Sequence, residues 1–260
     1  MNRLQGLGVW LLEAIRVFRT KTKASVYALL AGVLVTPILG YGIAVADETG
    51  HATATGAKAL DPLKVAASVQ AFYDQTQDVS AQFRQMYVHR LYNRTERSHG
   101  QVVFKKPGKM RWDYGQPNGK IIVADGQRVR IFEPGQEGEP DQVLEQRMSA
   151  HQLPQAMAFL MGTGRLENDF NFRLLDAGEA GFPSGHILEL RPKEPTPHYV
   201  RVLFYVDSRP AVRGLVRRLI VIDADGNRNR FDFDKLRFNS GVTDQPFAWR
   251  PPAGTRRVEM

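Results

Sequence analysis

The stretch Gly100-Gln-Val-Val-Phe-Lys-Lys-Pro-Gly-Lys-Met-Arg-Trp-Asp-Tyr114 decides how this chain folds. Met110, Trp112 and Tyr114 alternate with Arg111 and Asp113, the period of two that sends one set of side chains to each face of a strand. Turning the larger set inward makes an apolar wall and leaves the charges in water. The same parity puts Val102 and Phe104 on that wall. Lys106 then stands at its end, on the same side, at a Pro-containing corner.

Outward from this segment the chain keeps reading as short strands. Candidates lie at 79–92, 101–104, 121–124, 128–132, 142–147, 170–175, 187–191, 199–206, 216–222 and 228–238. Asp125-Gly126 and Asp225-Gly226 fall between adjacent runs and signal tight hairpin turns. About ten or eleven strands with turns between them predict a mainly β protein with some α, an antiparallel barrel or sandwich.

Two segments break the pattern. Asp61-Pro62 supplies a capping carboxylate and then a proline at the first helical position. Val65, Val69, Phe72 and Tyr73 follow on one helical face, so the spacing predicts an amphipathic helix over 61–74. Residues 149–161 carry Leu153, Met157, Leu160 and Met161 at the same spacing, closed by Gly162 and Gly164. This is a short methionine-bearing helix, serving either as core filler or as a movable cover.

The 260 residues hold 35 Lys and Arg against 27 Asp and Glu, a formal charge of +8. Five of the basic residues (Arg3, Arg16, Arg19, Lys21, Lys23) lie in the first 46 positions beside one acid, Glu13. The 30 basic and 26 acidic residues that remain give too small a surplus to call for nucleic acid. Arg16 to Lys23 precede a charge-free run, Ala24 to Ala46, which contains Pro37, Gly40 and Gly42 and ends Ala44-Val45-Ala46. That small-x-small ending marks residues 1–46 as an export signal. A retained membrane anchor is the alternative, because about 20 apolar residues span a bilayer. On either reading the rest of the chain is outside the cytoplasm. Residues 47–58 are small and polar, a flexible tether, and the folded domain is expected over 59–260.

Candidate chemistry is thin. The absence of cysteine excludes thiol catalysis, thiolate metal sites and disulfides. The histidines at 51, 89, 99, 151, 186 and 198 show no metal-ligand spacing. Ser184 lacks a nucleophile elbow. In Asp223-Ala-Asp-Gly-Asn-Arg-Asn229, placing Gly226 at the sixth position of a calcium loop puts Val221 where a carboxylate is needed. No nucleophile, base and oxyanion hole come together. The expectation is a protein that is not an enzyme and uses no cofactor or metal.

Several segments, taken in order, resemble the LolA family of periplasmic lipoprotein carriers from Gram-negative bacteria. They are the helix at 61–74, Val79-Ser-Ala-Gln-Phe-Arg-Gln85, the 100–114 stretch and Ile122-Val-Ala-Asp-Gly-Gln-Arg-Val129. Gln155-Ala-Met-Ala-Phe-Leu-Met161 and the ending Phe247-Ala-Trp-Arg-Pro-Pro-Ala-Gly254 complete the set. The likeness implies an incomplete antiparallel β-barrel, with the N-terminal helix and short inserted helices lying across its mouth as a lid. It also implies an activity. A monomeric chaperone would take acylated lipoproteins from a releasing ABC transporter in the inner membrane toward an outer-membrane acceptor. The physical need is clear, since a buried CH₂ is worth about 0.8 kcal/mol and wetting one long acyl chain costs on the order of 10 kcal/mol.

For such a cavity, parity nominates Phe104, Met110, Trp112 and Tyr114. Phe83, Tyr87, Ile122, Phe132, Phe204 and Phe233 join them as bulky strand residues, and Met157 and Leu160 come from the methionine helix. For each, the alternative is an ordinary barrel core. The best-known members carry arginine where this chain has Lys106, and phenylalanine where it has Met110. Their arginine latches the lid through hydrogen bonds to lid carbonyls. The resemblance carries that role to Lys106, whose point charge grips more loosely than a planar fork. The outer-membrane acceptor of the same fold is held by an acylated cysteine, absent here, which favours a mobile carrier. A membrane-anchored sensor of lipid or lipoprotein is the rival reading.

Overall fold

The computed structural model describes residues 60–135, 138–147 and 164–258. The export segment, the tether and the segment 149–161 lie outside the described residues. Helix α1 forms over Pro62–Asp74, with the Asp61 carboxylate accepting the Leu63 amide at 2.9 Å and Pro62 in the first turn. Val65, Ala66, Val69 and Tyr73 are buried on its inner stripe, while Leu63 faces water.

Twelve strands follow: β1 Asp78–His89, β2 Arg94–Lys105, β3 Lys109–Tyr114, β4 Ile121–Asp125, β5 Arg128–Glu133 and β6 Gln142–Arg147. After the short helix α2 (Leu166–Asp169) come β7 Phe170–Leu175, β8 Gly185–Pro192, β9 Arg201–Asp207, β10 Val216–Ile222, β11 Arg228–Phe238 and β12 Arg256–Val258. They make one sheet in the order β12-β6-β5-β4-β3-β2-β1-β11-β10-β9-β8-β7, whose two edges do not pair with each other. This is an unclosed barrel, and α1 packs on the β7–β8 part of it. The expected all-antiparallel pairing needs one correction, because β12 runs parallel to β6. A 3₁₀ turn at Gln245–Phe247 first lies against β3 and β4, so the chain reaches the far edge in the same sense as β6.

The inner face is the wall expected from parity. Val102 stands opposite Trp112, Phe104 opposite Met110 and Trp112 opposite Ile122. The Phe83 ring lies 4.9 Å from both Trp112 and Tyr114, edge-on to each, the arrangement aromatic quadrupoles prefer. Gly100 makes this possible. A Cβ there would sit 2.0 Å from the Asp113 carbonyl and 2.9 Å from the Phe83 ring.

The sequence expectation of one strand over 79–92 also needs correction. The chain turns at Arg90–Asn93, where Asn93 takes a left-handed φ of 45°, and β2 begins at Arg94 rather than near 101. The half of β2 from Arg94 to His99 is mostly exposed, so no apolar alternation marks it.

Asp78 anchors the start of β1. Its carboxylate accepts from Ser240 N and Oγ at 2.9 Å each, Gly241 N at 3.0 Å and Val242 N at 3.3 Å. Burial alone would raise its pKa; the donors from Ser240, Gly241 and Val242 outweigh that and hold it below the usual carboxylate range. A lowered folded pKa means that this stabilisation is present above the unfolded value, ~3.9, and is lost as pH falls through the folded one. Asp78→Asn is expected to cost about 1–3 kcal/mol of unfolding free energy at neutral pH. It should also flatten the acid limb of a stability-versus-pH curve measured by urea denaturation.

Candidate functional site

Between α1 and the inner face of the sheet lies an apolar pocket. Its walls are Tyr73 of α1, Val79 and Ala81 of β1, Val102 and Phe104 of β2, and Phe204 of β9, with Val216 and Leu219 of β10 and Phe233 and Leu236 of β11. The free volume is about 30 Å³, room for roughly one or two waters. Phe83, Met110, Trp112, Tyr114 and Ile122 are buried in the same core without lining the pocket. Trp112 meets the rings of Phe104, Phe231 and Phe233 at 5.7, 5.5 and 6.4 Å. Burial pushes the Tyr114 hydroxyl pKa upward.

The last carbonyls of a helix have no partner within it. In α1 they are met from outside the helix. Lys106 Nζ donates to Tyr73 O at 2.6 Å and to Asp74 O at 3.4 Å, and Thr76 Oγ1 donates to Phe72 O at 2.8 Å. Asn239 Nδ2 reaches Gln75 O at 3.4 Å. The ammonium also suits the negative end of the helix dipole. Partial burial lowers the Lys106 pKa, against the pull of the Asp74 carboxylate. Midway along α1, Gly214 (φ 94°) comes so close that a Cβ would lie 2.1 Å from Ser68 O. The helix is therefore held at its middle by shape and at its end by a charge.

The nominated residues divide. Phe104, Phe204 and Phe233 line the pocket, whereas Phe83, Met110, Trp112, Tyr114 and Ile122 belong to the same buried core but not to its lining. Tyr87 points to the inner side but is set apart by a buried polar pair, Gln85 Nε2 donating to Asn229 Oδ1 at 2.9 Å. Phe132 is a correction. The inner positions of β5 are Val129 and Ile131, facing Ala124 and Ile122, so Phe132 faces outward and packs 5.6 Å from the Trp249 ring. Met157 and Leu160 lie outside the described residues.

Choosing by bulk missed Val79, Ala81, Val216, Leu219 and Leu236. The signal was available for two of them, because Val79 and Ala81 share the parity of Phe83. Leu236 was hidden by an irregularity, with Lys235 at φ 50°. Larger clefts occur elsewhere, such as one of about 340 Å³ among Lys109, Asp125, Arg130, Asp244 and Trp249. Their charges are matched locally, for instance Lys109 to Asp244 at 2.7 Å and Arg130 to Asp125 at 2.9 Å.

An unclosed sheet with an apolar inner wall, covered by one amphipathic helix, defines a lidded hydrophobic-pocket protein. The model of the family described as outer membrane lipoprotein carrier protein LolA matches residues 74–250, and the chain belongs to that family. It is 29% identical over 203 residues to an outer-membrane lipoprotein carrier protein of Nitrosomonas europaea, covering 74% of this chain and 89% of the relative. A protein of the same description from Dechloromonas aromatica is 27% identical over 183 residues, covering 70% and 82%. The crystal structure of a LolA superfamily protein from Nitrosomonas europaea overlays on 74% of this chain and 99% of its own, with a TM-score of 0.42 and 13% identity.

The two faces of the sheet make separable predictions. Phe132→Ala should lower the unfolding free energy by about 3–5 kcal/mol yet leave the affinity for an apolar fluorescent probe unchanged. Phe204→Ala should cost a similar amount and change that affinity, as read by titration of the probe.

Proposed function

We propose that this protein is a periplasmic carrier that takes the acyl chains of lipoproteins into the space between α1 and the sheet by displacing α1. The observation that carries this reading is the Lys106 hydrogen bond to Tyr73 O, which fastens the end of the only long helix among the described residues over an apolar pocket. The closed interior is filled by its own side chains, so a chain of a dozen or more methylenes enters only if α1 lifts and the walls separate. Each methylene sheltered is worth about 0.8 kcal/mol, enough in sum to offset the contacts that the stripe of α1 gives up.

In this reading Lys106 is the latch. Its hydrogen bonds are made in the empty state and broken in the loaded one, so cargo and latch compete for the position of α1. Residues 1–46 direct export and are removed, 47–58 tether, and 59–260 carry. Cargo would arrive from an inner-membrane releasing ABC transporter and leave toward an outer-membrane acceptor. The work needs no bond making, and the non-enzymatic character of the family fits that.

The test is titration with an apolar fluorescent probe, followed by displacement with a triacylated lipopeptide. Saturable uptake and full displacement are expected, and absence of a saturable site would rule out the carrier reading. Lys106→Met removes the charged donor from the Tyr73 carbonyl, leaving it the Thr76 amide at 3.0 Å, and should bind the probe on the order of 10-fold more tightly. Lys106→Arg should restore wild-type behaviour. Unchanged affinity in Lys106→Met means that Lys106 is no latch.

A further inference from the structure

At the end of β1 remote from Lys106, the β1–β2 hairpin reaches past its neighbour. β3 stops at Tyr114 opposite Gly100, while β1 and β2 continue paired as far as His89 and Arg94. The turn that joins them exposes Leu91 and Tyr92 at 80% and 69%, the most exposed large apolar side chains among the described residues. The turn is not loose. Asn93 N donates to Arg90 O at 3.3 Å, and Arg90 N donates to Asn227 Oδ1 at 2.9 Å in the neighbouring β10–β11 turn. Asn227 is itself held by the Asp223 carboxylate through two 2.9 Å bonds. Gly226 leaves room for the Arg90 side chain, which lies 3.0 Å from where a Cβ would be. The His89 ring supports Tyr92 at 4.6 Å.

Around this apolar tip arginines outnumber carboxylates by four to three. Arg90, Arg94, Arg97 and Arg228 stand on or beside it, against Glu96, which pairs with Arg94 at 2.9 Å, and Asp223 and Asp225 of the adjoining turn. On the outer face at the same end, buried Glu189 is shared by Arg173, Arg191 and Arg201 at 2.8, 3.1 and 3.1 Å. One carboxylate for three guanidinium groups leaves that cluster two charges positive.

We propose that this hairpin tip docks the protein on an anionic bilayer surface, with Leu91 and Tyr92 entering the headgroup layer and the arginines against lipid phosphates. Tyrosine and leucine beside arginine are the side chains that interfacial anchors use. A protein partner would bury about 800 Å² of surface on each side, and a narrow two-residue wedge does not offer that, whereas a headgroup layer yields around it. Docked in this way, the molecule keeps α1 and Lys106 directed away from the bilayer, accessible to whatever delivers or receives cargo. The docking does not depend on the pocket reading.

The chain has no cysteine, so Tyr92→Cys in the full-length protein carries a unique environment-sensitive fluorophore. With vesicles of phosphatidylethanolamine and phosphatidylglycerol, the label should brighten several-fold, shift to the blue and be quenched by nitroxide lipids. The same label on Thr243→Cys, at the far end, should stay silent. Replacing Arg94 and Arg97 by serine should weaken the response about fivefold for each arginine removed. A label at 92 that is silent with these vesicles overturns the proposal, as does one that responds equally to phosphatidylcholine alone. Shielding only by an added protein overturns it too. Uptake of the apolar probe in the same samples reports separately on the pocket.

Discussion

The hydrogen bond from Lys106 to the Tyr73 carbonyl joins two parts of the chain that face each other across the apolar interior. One is a strand end set by the alternation of β2; the other is the last turn of a helix whose stripe has nowhere else to be buried. A curved sheet with free edges cannot complete its own core, so α1 supplies the missing wall. The final carbonyls of that helix need donors, which Lys106 and Thr76 provide, and Asn239 serves the carbonyl of the capping Gln75. The charge of Lys106 makes its bond stronger than a neutral one, and a single amine gives fewer simultaneous bonds than a planar guanidinium fork.

The pocket that α1 closes holds about 30 Å³ of free space. On the proposed carrier reading, such an interior would store cargo affinity as exchange: apolar contacts made by the stripe of α1 and the rings of Phe104, Phe204 and Phe233 would be replaced by contacts with acyl chains. The net gain is therefore smaller than the gross burial, which is what a carrier needs if it must both accept and release. In the same core, Trp112 and Phe83 interlock edge-on.

Much of this was legible in the sequence. Met110, Trp112 and Tyr114 alternate so regularly that their common face follows from the pleat, and Asp61-Pro62 starts α1 where it does start. The position of Lys106 at the end of the same wall also follows from parity. What was not legible has specific causes. Phe132 looks like a wall residue by size, but β5 presents Val129 and Ile131 inward because its register to β4 is fixed by Ala124 and Ile122. On the outer face the Trp249 ring of the C-terminal segment, 5.6 Å away, takes Phe132 instead. The turn at Arg90–Asn93 contains no glycine or proline, and the first half of β2 is polar on both faces, so neither announced itself. The parallel placement of β12 depends on the path of the C-terminal segment across β3 and β4, a tertiary matter.

The direct test of the central claim is the movement of α1. Spin labels at Leu63→Cys on α1 and Gln127→Cys in the β4–β5 turn, both exposed positions, report the distance between lid and sheet by pulsed electron resonance. The account predicts one narrow distance in the empty protein and a longer, broader one when a triacylated lipopeptide is bound. A lipopeptide that binds while the distance stays as it was would show that cargo does not enter beneath α1.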